Sequence, residues 1–267
     1  MVEVRLEEGD RIEWALKAFK RKVQRSGLLK DLRRRRHYVK PSEARQLKAD
    51  AARRRAFATG ELQASPAWLV LIAAMLAAAV LAAWSVLNAA SAAFVFLGAF
   101  FYAIVYTVWL KRRTWWNIVI GGLAGSFAVL AGGCAVDPVP SALPLLLALV
   151  LFLWTPPHFW ALAIACRDDY RAAGIPMLPV VAGNRRAAQA VLGSTVALLA
   201  ASLLPLLFGA GPVYGVGALA GGGWFVYRAA ALVRAPDDRR AAMSCFFASL
   251  LQLSLLLVAV CADAVVR

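Results

Sequence analysis

With 267 residues, 61% of them apolar, and a mean hydropathy of +0.65, the chain is too hydrophobic for an ordinary soluble domain. The net charge of +15 is unevenly placed: residues 1–57 carry 18 Lys and Arg against 8 Asp and Glu, and the remainder carries 12 against 7. Cys134, Cys166, Cys245 and Cys261 are scattered without a CxxC pair, which argues against a zinc site or a disulfide framework.

In chain order, the first element is a basic amphipathic helix in which Ile12, Leu16, Phe19 and Val23 form one apolar stripe. Pro41 ends it, and Ala44 to Arg55 form a second helical stretch. The charged start has no apolar core of the signal-peptide kind, so a cytosolic N-terminus is expected. Charge pattern alone leaves two uses open for this head: a surface helix on anionic lipid, or a nucleic-acid-binding segment.

From Ser65 onward seven apolar runs are long enough to cross a bilayer, at about 20 residues per helical span. They cover residues 66–88, 92–110, 117–136, 142–166, 187–209, 212–233 and 242–264. Three connections are short and nearly uncharged, at Asn88, at Asp137-Pro138-Val139-Pro140 and at Gly209-Ala210-Gly211-Pro212. The alternate connections are basic: Lys111, Arg112 and Arg113; then Arg167, Arg171, Arg185 and Arg186; then Arg234, Arg239 and Arg240. The positive-inside rule puts these in the cytosol, with residues 1–65 inside and Arg267 outside. The basic loops then read either as topology determinants on lipid headgroups or as part of a site on the cytosolic face.

Two motifs decide for a site. Tyr106-Thr-Val-Trp-Leu-Lys-Arg-Arg-Thr114 leads into Asn117-Ile-Val-Ile-Gly-Gly122, and Trp154-Thr-Pro-Pro-His-Phe-Trp160 leads into Asp168-Asp-Tyr-Arg-Ala-Ala-Gly-Ile-Pro-Met-Leu-Pro179. From about Arg55 onward the chain resembles the heme O synthases, protoheme farnesyltransferases of the polyprenyltransferase superfamily. The resemblance implies an all-α, polytopic transmembrane helix bundle in the inner (plasma) membrane that transfers farnesyl from farnesyl diphosphate to protoheme. Ionising an allylic diphosphate needs cations for the departing pyrophosphate and an apolar chamber for the carbocation. By resemblance, Asp168 and Asp169 are the catalytic carboxylates and magnesium ligands. Lys111, Arg112, Arg113 and Arg167 are the diphosphate-binding cations. His158, Trp154, Tyr106 and Asn117 belong to the heme and substrate pocket. Read without the resemblance, His158 has the alternative of a hydrogen-bonded core residue, and Trp154 and its neighbours that of helix-packing aromatics.

The chain also departs from that family. The family's fold has nine spans and a first aspartate-rich motif of NxxxDxxxD type, and none of Asn88, Asn117 and Asn184 is followed four residues later by Asp. Arg53 to Gly60 is similar to the tail of the stretch that follows this motif. Seven of nine spans and one of two magnesium motifs imply weakened diphosphate binding.

The head is similar to a second family, the bacterial small-subunit ribosomal protein twenty-one. The resemblance rests on Ile12 to Lys22, on Arg25-Ser-Gly-Leu-Leu-Lys-Asp-Leu-Arg33 and on Arg36-His-Tyr-Val-Lys-Pro-Ser42. It implies ribosomal RNA or the small ribosomal subunit as partner, with Arg33, Arg34, Arg35 and Arg36 on phosphates and His37 and Tyr38 stacking on bases. The expected organisation is a basic helical segment over 1–57 and a transmembrane domain over 58–267. A chance joining of two reading frames near residues 50–65 is the alternative reading of that junction.

Overall fold

The computed structural model of the chain describes residues 66–266. Two compact units are distinguished, Met1–Leu69 and Val70–Arg267. Of the first unit only the opening turn of a helix, from Pro66, is described. The expected boundary at residues 57 and 58, the junction at Arg53 to Gly60, and Arg33, Arg34, Arg35, Arg36, His37 and Tyr38 all lie outside the described residues.

The described residues are helical, with no strand among them. In chain order the α-helices are α1 (Pro66–Val86), α2 (Ala89–Phe100), α3 (Asn117–Gly121), α4 (Leu123–Val136), α5 (Ala142–Ala165), α6 (Arg167–Ala172), α7 (Leu178–Ala182), α8 (Asn184–Leu203), α9 (Pro212–Arg234) and α10 (Arg239–Val266). A π-helix, Phe101–Leu110, continues α2, and a 3₁₀ turn, Leu204–Phe208, continues α8.

Seven of the resulting rods are long and apolar enough to cross a membrane, from Ala67–Val86 to Arg239–Val266, and they match the seven expected runs. In lipid a spanning segment must satisfy its own backbone groups, which is why the apolar runs are helices. The first is apolar on every side and shares no packed face with another helix among the described residues. The others pack in sequence as α2, α4, α5, α8, α9 and α10, and α5 also meets α10. Helix α5 is therefore the centre of the bundle, and it carries the WTPPHFW motif.

Small residues bring these helices close, as expected where lipid gives no hydrophobic drive to association. A Cβ at Gly221 of α9 would stand 3.0 Å from Gln252 Cα of α10, and one at Gly217 would collide with Ala259 Cβ. At Gly122, between α3 and α4, it would stand 3.1 Å from Thr155 Cβ on α5. At the opposite end from the basic loops, Asp263 of α10 is buried and accepts from the backbone N–H groups of Gly211 (2.7 Å) and Tyr214 (3.3 Å). It caps the N-terminus of α9 from a neighbouring helix, matching a carboxylate to free donors.

Candidate active site

The second motif occupies the C-terminal half of α5. Pro156 and Pro157 are buried inside a helix that remains continuous, so the carbonyls of Phe152 and Leu153 lose their amide donors without a break in the rod. His158 follows them and is 6% exposed. Its ring lies between Trp154 (centroids 4.1 Å, stacked) and Phe246 of α10 (4.6 Å, stacked), with Phe159 edge-on at 4.9 Å. His158 Nδ1 lies 2.7 Å from Ser249 Oγ, and Trp154 Nε1 donates to the Ser249 carbonyl at 2.9 Å. Seven residues at about 1.5 Å each put His158 about 10 Å along the axis from the end of α5 at Ala165.

The first motif begins in the π-helix. Here Lys111 N–H donates to the Tyr106 carbonyl (2.8 Å) and Thr107 Oγ1 to the Tyr102 carbonyl (2.7 Å), both reaching back five residues. A π segment of this length is rare and marks functional positions more often than ordinary helix. It turns both Tyr102 and Tyr106 towards a cavity of about 190 Å³ whose other walls are Ile118, Gly121, Thr155 and Phe159. Gly121 permits the approach of Tyr106: a Cβ there would come within 2.7 Å of the ring. Pockets for drug-sized ligands run to about 300–1,000 Å³, so this cavity has room for part of such a ligand rather than the whole of one.

Asn117 is placed differently from its expected pocket role. It is fully buried, its Nδ2 donates to the Lys111 carbonyl at 3.1 Å, and its Oδ1 has no hydrogen-bond partner. It therefore pins the turn that presents Lys111, Arg112 and Arg113, of which the two arginines are exposed and the lysine is half-buried. Trp115 ties the same turn to α5 by a tilted contact with Trp160, centroids 6.5 Å apart.

The aspartates lie on α6, just past the end of α5. Asp168 is exposed and accepts from Arg171 Nη1 at 3.0 Å, and Asp169 is exposed beside it. Arg167 has a buried Nε with no partner, so part of its guanidinium is held out of water. Tyr170, half-buried on the same turn, lies near Tyr106 of the cavity wall. Burial, with a smaller contribution from Cys166, raises the Tyr170 phenol above its ordinary value and keeps it neutral. No group of three or more His, Cys, Asp or Glu is gathered as a metal cluster among the described residues. Two neighbouring hard carboxylates still suit magnesium, which commonly takes one or two carboxylates with substrate phosphates and water filling the remaining positions.

The three basic connections thus share one end of the bundle, and Asn184 Nδ2, donating to Asp237 Oδ1 at 2.8 Å, joins the second to the third. Several residues of this region escaped the sequence reading: Tyr102 and Thr155 on the cavity, and Phe246 and Ser249 beside His158. For Ser249 a signal was present, since Cys245, Ser249 and Gln252 recur at helical spacing within an apolar span and all are buried.

The UbiA prenyltransferase family model matches residues 45–251, and the ribosomal protein S21 model matches residues 3–57. A relative from Paramagnetospirillum magneticum named protoheme IX farnesyltransferase 2 is 62% identical over 209 residues, covering 78% of this chain and 72% of the relative. A second from the same organism, protoheme IX farnesyltransferase 1, is 50% identical, covering 79% and 74%. The protoheme IX farnesyltransferase of Thioalkalivibrio sulfidiphilus is 44% identical, covering 82% and 72%. No solved structure matches. A polytopic helix bundle, with the aspartate turn beside an aromatic cavity and a family match over most of its length, places the chain in the UbiA prenyltransferase family.

Proposed function

We propose that the chain is an integral-membrane prenyltransferase of the heme O synthase type, which transfers farnesyl from farnesyl diphosphate to protoheme. The observation that carries this reading is the alignment of three features along α5: the aspartate turn at its end, the cavity beside Thr155 and Phe159, and His158 about 10 Å from Ala165. Polar head, prenyl chain and acceptor would be spaced in that order from the basic face inward.

In this reading Lys111, Arg112, Arg113 and Arg167 bind the diphosphate and neutralise its charge as the allylic C–O bond breaks. Asp168 and Asp169 would hold magnesium, which supplies Lewis-acid stabilisation of the departing pyrophosphate. Tyr102, Tyr106 and Phe159 orient the prenyl chain and exclude water from the allylic cation, whose carbon bonds to the terminal carbon of a heme vinyl group. The positive charge passes to the other vinyl carbon, where water adds with loss of a proton to leave a hydroxyl. Trp154 and Phe246 hold the His158 ring beside the acceptor. Asn117 acts at one remove, by fixing the turn that carries the cations. The basic loops face the cytosol, and the bundle sits in the inner membrane with residues 1–65 inside.

Production of heme O in membranes from cells lacking their own synthase tests this. The reading expects heme O when the chain, farnesyl diphosphate, protoheme and magnesium are all present. A correctly inserted chain that makes none contradicts it.

A second reading concerns residues 1–57 alone and is favoured by the match to the ribosomal protein S21 model. In this reading residues 1–57 bind small-subunit ribosomal RNA and residues 58–267 are the transmembrane domain. Arg33 to Arg36 would contact phosphates, and His37 and Tyr38 would stack on bases. Co-sedimentation of the chain with small subunits at physiological salt, lost when the four arginines become alanine, is expected. Unchanged sedimentation in that variant would oppose it.

A further inference from the structure

We infer that Ser249, on the last helix and outside both sequence motifs, is a positioning residue that holds His158 in one tautomer, with the proton on Nδ1 and the lone pair on Nε2. Two short contacts meet at one hydroxyl: His158 Nδ1 at 2.7 Å and the Phe246 carbonyl at 2.6 Å. A carbonyl can only accept, so Ser249 Oγ–H donates to Phe246. The hydroxyl has one proton, and its oxygen is left to accept. The proton between Ser249 and His158 therefore belongs to Nδ1, and the other ring nitrogen is bare.

The surroundings make this arrangement rigid. Trp154 and Phe246 stack on the two faces of the ring, which removes rotation about the ring plane. Ser249 is fully buried, and its carbonyl is tied to Trp154 Nε1, so the same residue of α10 anchors two side chains of the WTPPHFW motif. Nε2 has no hydrogen-bond partner among the described residues. A neutral imidazole with a free Nε2 can accept a proton or donate its electron pair to a metal, and the other tautomer could do neither at that position. The consequence for the reaction rests on the prenyl-transfer reading above; the tautomer itself does not.

The chain has two histidines, His37 and His158, so ¹⁵N-histidine labelling of the full protein in bilayers gives a spectrum with two rings. The His37→Asn variant isolates His158. We expect a proton-bearing Nδ1 and a bare Nε2 in the wild type, retention in Ser249→Thr, and a shift towards the Nε2–H form, the one favoured in water, in Ser249→Ala. Turnover in Ser249→Ala should fall about 10-fold, as for loss of an outer partner that orients a histidine, with KM for the diphosphate unchanged. A wild-type spectrum with the proton on Nε2, or a Ser249→Ala spectrum identical to wild type, overturns the assignment. If Ser249→Ala does not fold, the wild-type and Ser249→Thr spectra decide. The expected tautomer in a chain that transfers no prenyl group would remove the functional reading and leave the assignment of Ser249 standing.

Discussion

The ring of Tyr106 rests on the backbone of Gly121, so close that a Cβ there would stand 2.7 Å from ring carbon Cδ2. Both residues line the cavity, so a ring displaced by that Cβ alters the cavity's shape. Gly121→Ala should therefore reduce prenyl transfer severalfold with a stability cost of about 1–3 kcal/mol, the usual range for overpacking. Steady-state kinetics with a parallel unfolding measurement in detergent separates the two effects. Because the loss comes from an altered cavity, Tyr106→Ala in the same chain should recover part of the activity.

Asp168 and Asp169 are exposed on a short helical turn, and the pair with Arg171 is too open to water to contribute more than about 0.5 kcal/mol. Replacing both by alanine should leave the melting temperature in detergent nearly unchanged and abolish farnesyl transfer. Thermal unfolding and product analysis on one preparation check this. A large fall in stability would assign these carboxylates to structure instead.

Arg167 differs from the other cations because its Nε is buried and unpaired in the ligand-free chain. A buried donor without a partner is costly, and an incoming phosphate oxygen would satisfy it. Arg167→Lys keeps the charge and loses the paired donors, so KM for farnesyl diphosphate should rise about 10-fold or more. Arg112→Lys, on an exposed side chain, should raise it much less.

The contact between α9 and α10 depends on the absence of side chains at Gly217 and Gly221. Gly221→Val should destabilise the bundle by about 1–3 kcal/mol or prevent assembly, because the obstructing atom is the backbone Cα of Gln252 and cannot rotate away. Unfolding in graded denaturing detergent would register the change. Gly223, with open space around it, is the matched control.

How far the sequence discloses this molecule depends on which physical effect places each residue. The seven spans are legible because lipid demands a long apolar helix, and the observed rods agree with the expected runs. Two of the three largest boundary differences fall where charge conceals helix: α8 begins at Asn184, ahead of Arg185 and Arg186, and α10 at Arg239, ahead of the expected residues 187 and 242. The third is α2, which begins at Ala89, ahead of the expected residue 92, where Asn88 caps it. Hydropathy assigns the arginines of α8 and α10 to loops, although long side chains at a helix end can reach water. The π-helix is not legible, because a change of hydrogen-bond register from four residues to five leaves the composition unaltered. Asn117 could be recognised as a motif residue, but its task of holding the Lys111 carbonyl is tertiary. Ser249 stands 91 residues from His158, and their meeting depends on the packing of α5 against α10.

The central claim is that this chain ionises a prenyl diphosphate at the aspartate turn and passes the prenyl group to protoheme. The most direct test is turnover by the purified chain in lipid bilayers, following heme O and pyrophosphate together while magnesium is titrated. The account predicts equal amounts of both products, dependence on magnesium, and loss of both in the Asp168→Ala, Asp169→Ala double variant. Equal product formation by the double variant, or no product from a folded wild-type chain at saturating substrates and magnesium, would contradict it.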